Sequence, residues 1–245
     1  MISIQAKGLE VVYCNTLALA LNDFQVSGSV ICLIGRNGAG KSTLIKSILG
    51  LAPIKSGSIE VLSDKGICLK PEEDMIFSPE NGAVFADISV EAYLRLWCRL
   101  KCPSEYFYKT EGAGILERMR ISELLPKLGR ELSKGQRRRV QVAIGLIIGA
   151  KLLLLDEPFD GFDVSLTQEF IQLIGDFRSN TSFILSSHRM GIVERVADQV
   201  VLLDNGRVVS AGTVSNVVRN ISNAESGNLS DALGTYLAEK TSQMD

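Results

Sequence analysis

An excess of positive charge is missing: 26 lysines and arginines stand against 28 aspartates and glutamates, a formal net charge of −2 over 245 residues. A chain that grips nucleic acid through its phosphates needs a surplus of cations, so no nucleic-acid partner is expected. Long apolar runs are missing as well. The most nearly unbroken one, 142–150 followed by Leu152 to Leu155, is interrupted by Lys151 and falls short of the roughly 20 residues that a membrane-crossing helix needs. The opening Met1-Ile2-Ser3-Ile4-Gln5 has no charged stretch leading into an apolar one, so no signal peptide is expected. The five cysteines (14, 32, 68, 98 and 102) are odd in number, scattered and without paired metal-ligand spacing, which fits a reducing, cytoplasmic setting. Cys98 and Cys102 could share a helix face, but with no histidine nearby they read as small apolar packing residues. No internal repeat is visible. What remains is an apolar fraction of 46%, ordinary for a chain that folds one large α/β core or two small ones.

The strongest positive signal is Gly35-Arg36-Asn37-Gly38-Ala39-Gly40-Lys41-Ser42-Thr43, which follows the apolar run Val30 to Ile34. The segment fits the phosphate-loop pattern G-x-x-x-x-G-K-[ST] in full, behind a buried strand and ahead of a helix. Glycines let the backbone curl until several N–H groups point at one spot, and the helix that starts near Lys41 adds its positive end. In that arrangement Lys41 reaches the β- and γ-phosphates of a nucleoside triphosphate, and the Ser42 hydroxyl ligates a bridging Mg2+.

A second constellation is Leu152-Leu153-Leu154-Leu155-Asp156-Glu157. Four apolar residues make a buried strand, and carboxylates appear where it emerges. Asp156 is placed to hold Mg2+ through water and Glu157 to orient and activate the attacking water, since phosphoryl transfer depends on positioning and charge stabilisation.

Periodicity sets the organisation around these motifs. Residues from about Ile2 to Val61 alternate strand-like runs and turns, with the phosphate-loop helix running from Lys41 to about Leu49. A block from about Val90 to Ile148 reads as helices, broken at Cys102-Pro103-Ser104 and Pro126. Strand–helix alternation then returns with a strand to Asp156, a helix over Val164 to Phe177, a strand over Phe183 to Ser186, a helix after His188 and a strand over Val200 to Leu203. Asn205-Gly206 is a hairpin turn signal. The polar tract Asn220 to Asn228 reads as a linker before a short helix near Asp231 to Glu239.

Between the two constellations lies Leu132-Ser133-Lys134-Gly135-Gln136, which opens an arginine-rich helix. Here the chain resembles the ATP-binding cassette (ABC) ATPase family, whose signature loop reads LSGGQ or LSKGQ. The resemblance extends over residues 2–211. It implies an α/β P-loop NTPase cassette with a mixed sheet core, an antiparallel β subdomain and a helical insertion at about 88–148, all within 1–220, with linker and C-terminal helix over 221–245. It also implies a head-to-tail dimer, with a second copy or a related ABC subunit, that encloses two ATP molecules. Each signature loop then faces the other subunit's nucleotide, where Ser133, Gly135, Gln136 and the N–H groups of a helix start form an anion site. The triplet Arg137-Arg138-Arg139 reads as a solvated helix face.

By the same resemblance Tyr13 stacks on adenine, and Glu80, in Ser78-Pro79-Glu80-Asn81, takes the place of the family's magnesium-sensing glutamine. Asp163 falls in the loop between the two sites, and His188, the one histidine of the chain, is the switch residue that contacts the γ-phosphate. Three positions depart from the family pattern. A carboxylate at Glu80 also reaches magnesium; Arg36 in place of proline changes nothing where only backbone N–H groups act; Lys134 in place of glycine either adds charge near phosphate or points into water. No catalytic group is lost.

The function implied is the ATP-binding and ATP-hydrolysing subunit of an ABC transporter, exporter-like, that drives separate integral membrane permease subunits from the inner face of the cell membrane, with ATP and Mg2+ as its ligands. The alternative is a soluble ABC ATPase in macromolecular assembly, for instance of iron-sulfur clusters.

Overall fold

The computed structural model describes residues 1–222 and 227–242, arranged as two compact units, Met1–Glu73 with Ile184–Asp245, and Asp74–Phe183. The first unit opens with the long hairpin β1 (Ile2–Tyr13) and β2 (Thr16–Gly28). Burial at Ile2, Ile4, Ala6, Leu9 and Val11 follows the period of a strand with one face inward. β3 (Val30–Ile34) is buried at every residue, as its unbroken apolar run requires, and leads through the phosphate loop into α1 (Lys41–Ile48). β4 (Ile54–Ser63) pairs antiparallel with β1, giving the sheet order β2-β1-β4.

The short helix α2 (Pro71–Asp74) ends the first stretch of that unit, and the second unit runs from its last residue through β5 (Met75–Ser78) into α3 (Val90–Lys101), α4 (Ala113–Arg118) and α5 (Lys134–Ile147). β6 (Leu152–Leu155) pairs parallel with β5, and α6 (Val164–Phe177) follows. Caps fix the helix starts: the Ser89 hydroxyl accepts from the Ala92 N–H at 3.1 Å, and the Asp163 carboxylate accepts from the Leu166 N–H at 2.7 Å. On α6 the buried residues Leu166, Phe170, Leu173 and Ile174 form one stripe, and Phe170 packs on Phe159 and Phe162 with ring centroids 5.2 and 5.9 Å apart. This unit is wider than the helical block at 88–148, because β5, β6 and α6 belong to it.

β7 (Ser182–Ser186) carries the chain back into the first unit, to α7 (Met190–Val196), β8 (Gln199–Asp204) and β9 (Arg207–Gly212). β8 runs parallel to β3 and antiparallel to β9, so the sheet is mixed as expected. Asn205 and Gly206 turn the β8–β9 hairpin with φ of 47° and 73°, the pair of positive values that a tight two-residue hairpin demands. α8 (Val214–Ser222) takes in Asn220, so helix reaches into the tract expected to be linker; 223–226 of that tract lie outside the described residues. α9 (Leu229–Ser242) is longer than the terminal helix expected near Asp231 to Glu239. No described helix is long and apolar enough to cross a membrane.

Candidate functional site

In the first unit the phosphate loop is shaped by contacts that only glycine permits. Gly35 has φ 142°, and a Cβ there would stand 2.2 Å from the Leu203 carbonyl oxygen of β8; Gly40 has φ 106°, and its Cβ would meet the Ala18 carbonyl oxygen at 3.1 Å. Between them, a Cβ on Gly38 would meet nothing within 4 Å, which leaves the loop's crest open to a ligand. Lys41 starts α1 with its side chain 8% exposed, and its ammonium donates to the carbonyls of Gly35 (2.7 Å) and Arg36 (3.1 Å). A buried cation thus sits inside a curled backbone at a helix N-terminus, an arrangement that attracts polyphosphate. Ser42 and Thr43 belong to the first turn of the same helix, where N–H groups have no intrahelical acceptor.

Two further expected residues lie in this unit. Tyr13 ends β1 beside the tight turn at Cys14 and Asn15, and its ring is 38% exposed, open to a stacking partner. His188 follows β7 and is exposed; its neighbour Ser187 donates its N–H to the Leu33 carbonyl at 3.1 Å, one residue short of the end of β3. That bond holds the histidine segment beside the strand that feeds the phosphate loop.

The C-terminal helix brings residues to this loop that no motif marked. Asp204, at the end of β8, accepts from the Tyr236 hydroxyl (3.3 Å) and from Lys240 of α9. Leu237 and Lys240 then line a cavity of about 280 Å³ together with Arg36, Asn37, Gly38 and Asn205. The terminal helix therefore faces the phosphate loop across this cavity.

In the second unit, β6 delivers Asp156, a carboxylate 8% exposed, whose N–H is bound to the Ser78 carbonyl at 2.9 Å. Glu157 follows with φ 50°, a left-handed conformation that costs a non-glycine residue about 1 kcal/mol and that clusters at functional sites. Ser133 caps α5: its hydroxyl accepts from the Gln136 N–H at 3.2 Å while the Gln136 side chain accepts from the Ser133 N–H at 2.9 Å. Ser133 is exposed and keeps a hydroxyl hydrogen to donate outward. Gly135 passes close to Gly161, whose carbonyl oxygen would lie 3.1 Å from an added Cβ. Asp163 caps α6 and pairs with Arg120 at 2.8 Å; its N-cap bond holds its carboxyl below the usual carboxylate range.

Lys134 is half exposed, and its ammonium pairs with the Glu80 carboxylate at 2.8 Å, a hydrogen bond that lowers the Glu80 pKa. One expectation is corrected here. The arginine triplet is not a solvated face. Arg138 is fully buried and Arg139 9% exposed, Arg138 donating to the carbonyls of Glu80 and Asp160 and Arg139 to those of Met119 (3.3 Å) and Arg120 (3.1 Å). Successive helical residues lie about 100° apart, so three in a row cannot all face solvent on a helix packed on both flanks.

A family model described as "ABC transporter" matches residues 22–160, and a shorter one described as "AAA domain, putative AbiEii toxin, Type IV TA system" matches 129–194. The phosphonates import ATP-binding protein PhnC 2 of Nostoc sp. is 30% identical over 230 residues, covering 87% of this chain and 94% of that protein. The molybdenum import ATP-binding protein ModC of Brucella abortus is 34% identical over 210 residues, 79% of this chain and 56% of ModC. ATP-binding cassette sub-family A member 2 of Rattus norvegicus is 29% identical over 82% of this chain, which spans only 8% of that protein. The chain thus spans about half of ModC and a small part of the sub-family A protein. A solved structure described as "Structure of ATP binding subunit of ABC transporter" superposes with a TM-score of 0.84 at 27% identity, over 96% of this chain and 99% of the other. The ADP conformation of another ABC cassette, 23% identical, shares the fold with a TM-score of 0.70 over 97% of this chain and 99% of the other. With the family model spanning more than half of its residues and PhnC 2 matched over nearly its full length, the chain belongs to the ABC transporter family and has the fold of that family's ATP-binding cassette.

Proposed function

We propose that the chain is the ATP-hydrolysing motor of a transporter whose membrane-spanning subunits are separate polypeptides, bound peripherally to the inner face of the membrane. The observation that carries this reading is the phosphate loop, where a buried Lys41 ammonium sits 2.7 Å from the Gly35 carbonyl inside a curl that needs glycine at 35 and 40. On binding, the phosphates replace those loop carbonyls as partners of Lys41, Tyr13 stacks on the base, and His188 contacts the γ-phosphate. Mg2+ prefers hard oxygen, and by the chemistry of each side chain its proposed ligands are the Ser42 hydroxyl in the first turn of α1, the nearly buried Asp156 carboxylate and the Glu80 carboxylate. Bound there, the ion would neutralise phosphate charge as the bond to the leaving group breaks. Glu157 takes a proton from the attacking water, and Ser133, Gly135 and Gln136 serve the nucleotide of a second copy.

The relatives PhnC 2 and ModC are named as import proteins, and the motor proposed here is the part held in common with them; direction and cargo belong to the membrane subunits. The contact proposed for those subunits surrounds Glu80 and reaches the start of α3 near Val90: Phe85 is 59% exposed, Ala83 and Ala86 are exposed, and Phe77 and Val84 are half-buried. Coupling through this patch requires the partner to contact the open and closed states differently. Single cysteines at Ala83→Cys and Ala86→Cys, crosslinked in native membranes, test it. The expected capture is a polytopic membrane protein. Soluble assembly factors alone, with the chain absent from the membrane fraction, would overturn the reading.

A further inference from the structure

Helix α5 aims one face at the segment that follows β5. Lys134, Arg138 and Gln141 recur at intervals of four and three residues, the spacing of neighbours on a helix surface. Each of them holds a different point of 78–83. Lys134 takes the Glu80 carboxylate at 2.8 Å; Gln141 accepts from the Ser78 hydroxyl at 3.1 Å and donates to the Ala83 carbonyl at 3.0 Å. Arg138 donates one terminal nitrogen to the Glu80 carbonyl and the other to the Asp160 carbonyl. The approach is close enough that Gly82, at φ 64°, would place a Cβ 2.7 Å from the Arg137 Cβ.

Arg138 is the unusual member. Its side chain is wholly buried, and its Nε is buried with no hydrogen-bond partner among the described residues. Burial pulls the guanidinium pKa down, against the pull of Asp160, Glu80, Glu157 and Asp156. An apolar side chain would pack there without that desolvation cost. What an apolar residue, or a lysine, cannot do is hold two carbonyls of two separate loops on one rigid planar fork. One of those loops carries Glu80; the other begins at Glu157, whose own carbonyl accepts the Asp160 N–H at 3.2 Å.

We propose that Arg138 is a positioning residue for hydrolysis, fixing the Glu80 loop and the Glu157–Asp160 turn in one register so that metal binding and water activation occur together. This rests on the ATPase reading above, for which turnover by the unaltered chain is the control. The test uses the full chain with Arg138→Lys and Arg138→Met, measuring kcat, KM for ATP, thermal stability and amide exchange over 78–83 and 158–163. The expected result is a kcat at least about tenfold lower with KM for ATP within about twofold, because the phosphate loop is untouched. Lysine should restore part of the loss, and exchange should rise in both loops together. If the methionine variant fails to fold, the lysine variant decides. A folded variant with kcat within about twofold of the unaltered chain would overturn the inference, as would kcat, KM and stability falling in parallel with no loosening specific to the two loops. An inactive unaltered chain would instead overturn the ATPase reading.

Discussion

Glu80 and Lys134, two of the residues that depart from the family's pattern, meet at 2.8 Å. Both are about half exposed, so the pair adds only about 0.2–1 kcal/mol to stability, and its consequence is charge balance at a residue proposed to meet magnesium. The Lys134 hydrogen bond depresses the Glu80 pKa. A depressed carboxylate contributes its stability above the ordinary value of 4.5 and loses it as pH falls through the folded-state value, so the pair is intact at neutral pH. Lys134→Gly should leave an uncompensated carboxylate that draws magnesium more strongly, lowering the Mg2+ concentration for half-maximal turnover. In the Glu80→Gln background the same change should have no such effect. A shift of equal size in both backgrounds would show that Lys134 acts elsewhere. The sequence showed the identities of these residues but not their meeting, because 54 positions separate them. Glu157 was legible as a carboxylate after an apolar strand; its left-handed backbone was not, since nothing in the residue type asks for it.

Elements with a strong local signal follow the sequence closely. α6 runs over Val164–Phe177 as its apolar spacing requires, and the Asn205-Gly206 turn closes the β8–β9 hairpin. α9 is the counterexample. Its polar, weakly patterned sequence marked only a short helix, whereas Tyr236 and Lys240 anchor it on Asp204 and place Leu237 on the cavity it shares with the phosphate loop. That anchor is tertiary, and no periodicity encodes it. Asp204 is 11% exposed, so removing its cation leaves a carboxylate poorly solvated, at a cost of about 1–3 kcal/mol. Lys240→Ala should therefore raise hydrogen exchange in α9 and around residues 36–39 while leaving α6 unchanged. Exchange in α9 equal to that of the unaltered chain would show that the ion pair does not hold the helix.

At the scale of the whole molecule, the order of phosphate loop, signature loop and carboxylate strand was enough to reach the family, because each is a local pattern tied to backbone geometry. Assembly is a different matter. Ser133 sits exposed at the start of α5 with a hydrogen to donate, and its proposed acceptor is the nucleotide of a second copy. Glu157→Gln keeps the side chain's shape but cannot take a proton, so nucleotide should bind and not turn over. Light scattering of the Glu157→Gln chain, with Mg-ATP and then with ADP, decides whether ATP closes two copies on each other. The expected masses are twice the monomer with ATP, the monomer with ADP, and a monomer with ATP still bound when Ser133→Arg is added. A Glu157→Gln chain that binds ATP at saturation and remains a monomer, or that hydrolyses it at the unaltered rate, would overturn ATP-driven closure and the role of Glu157.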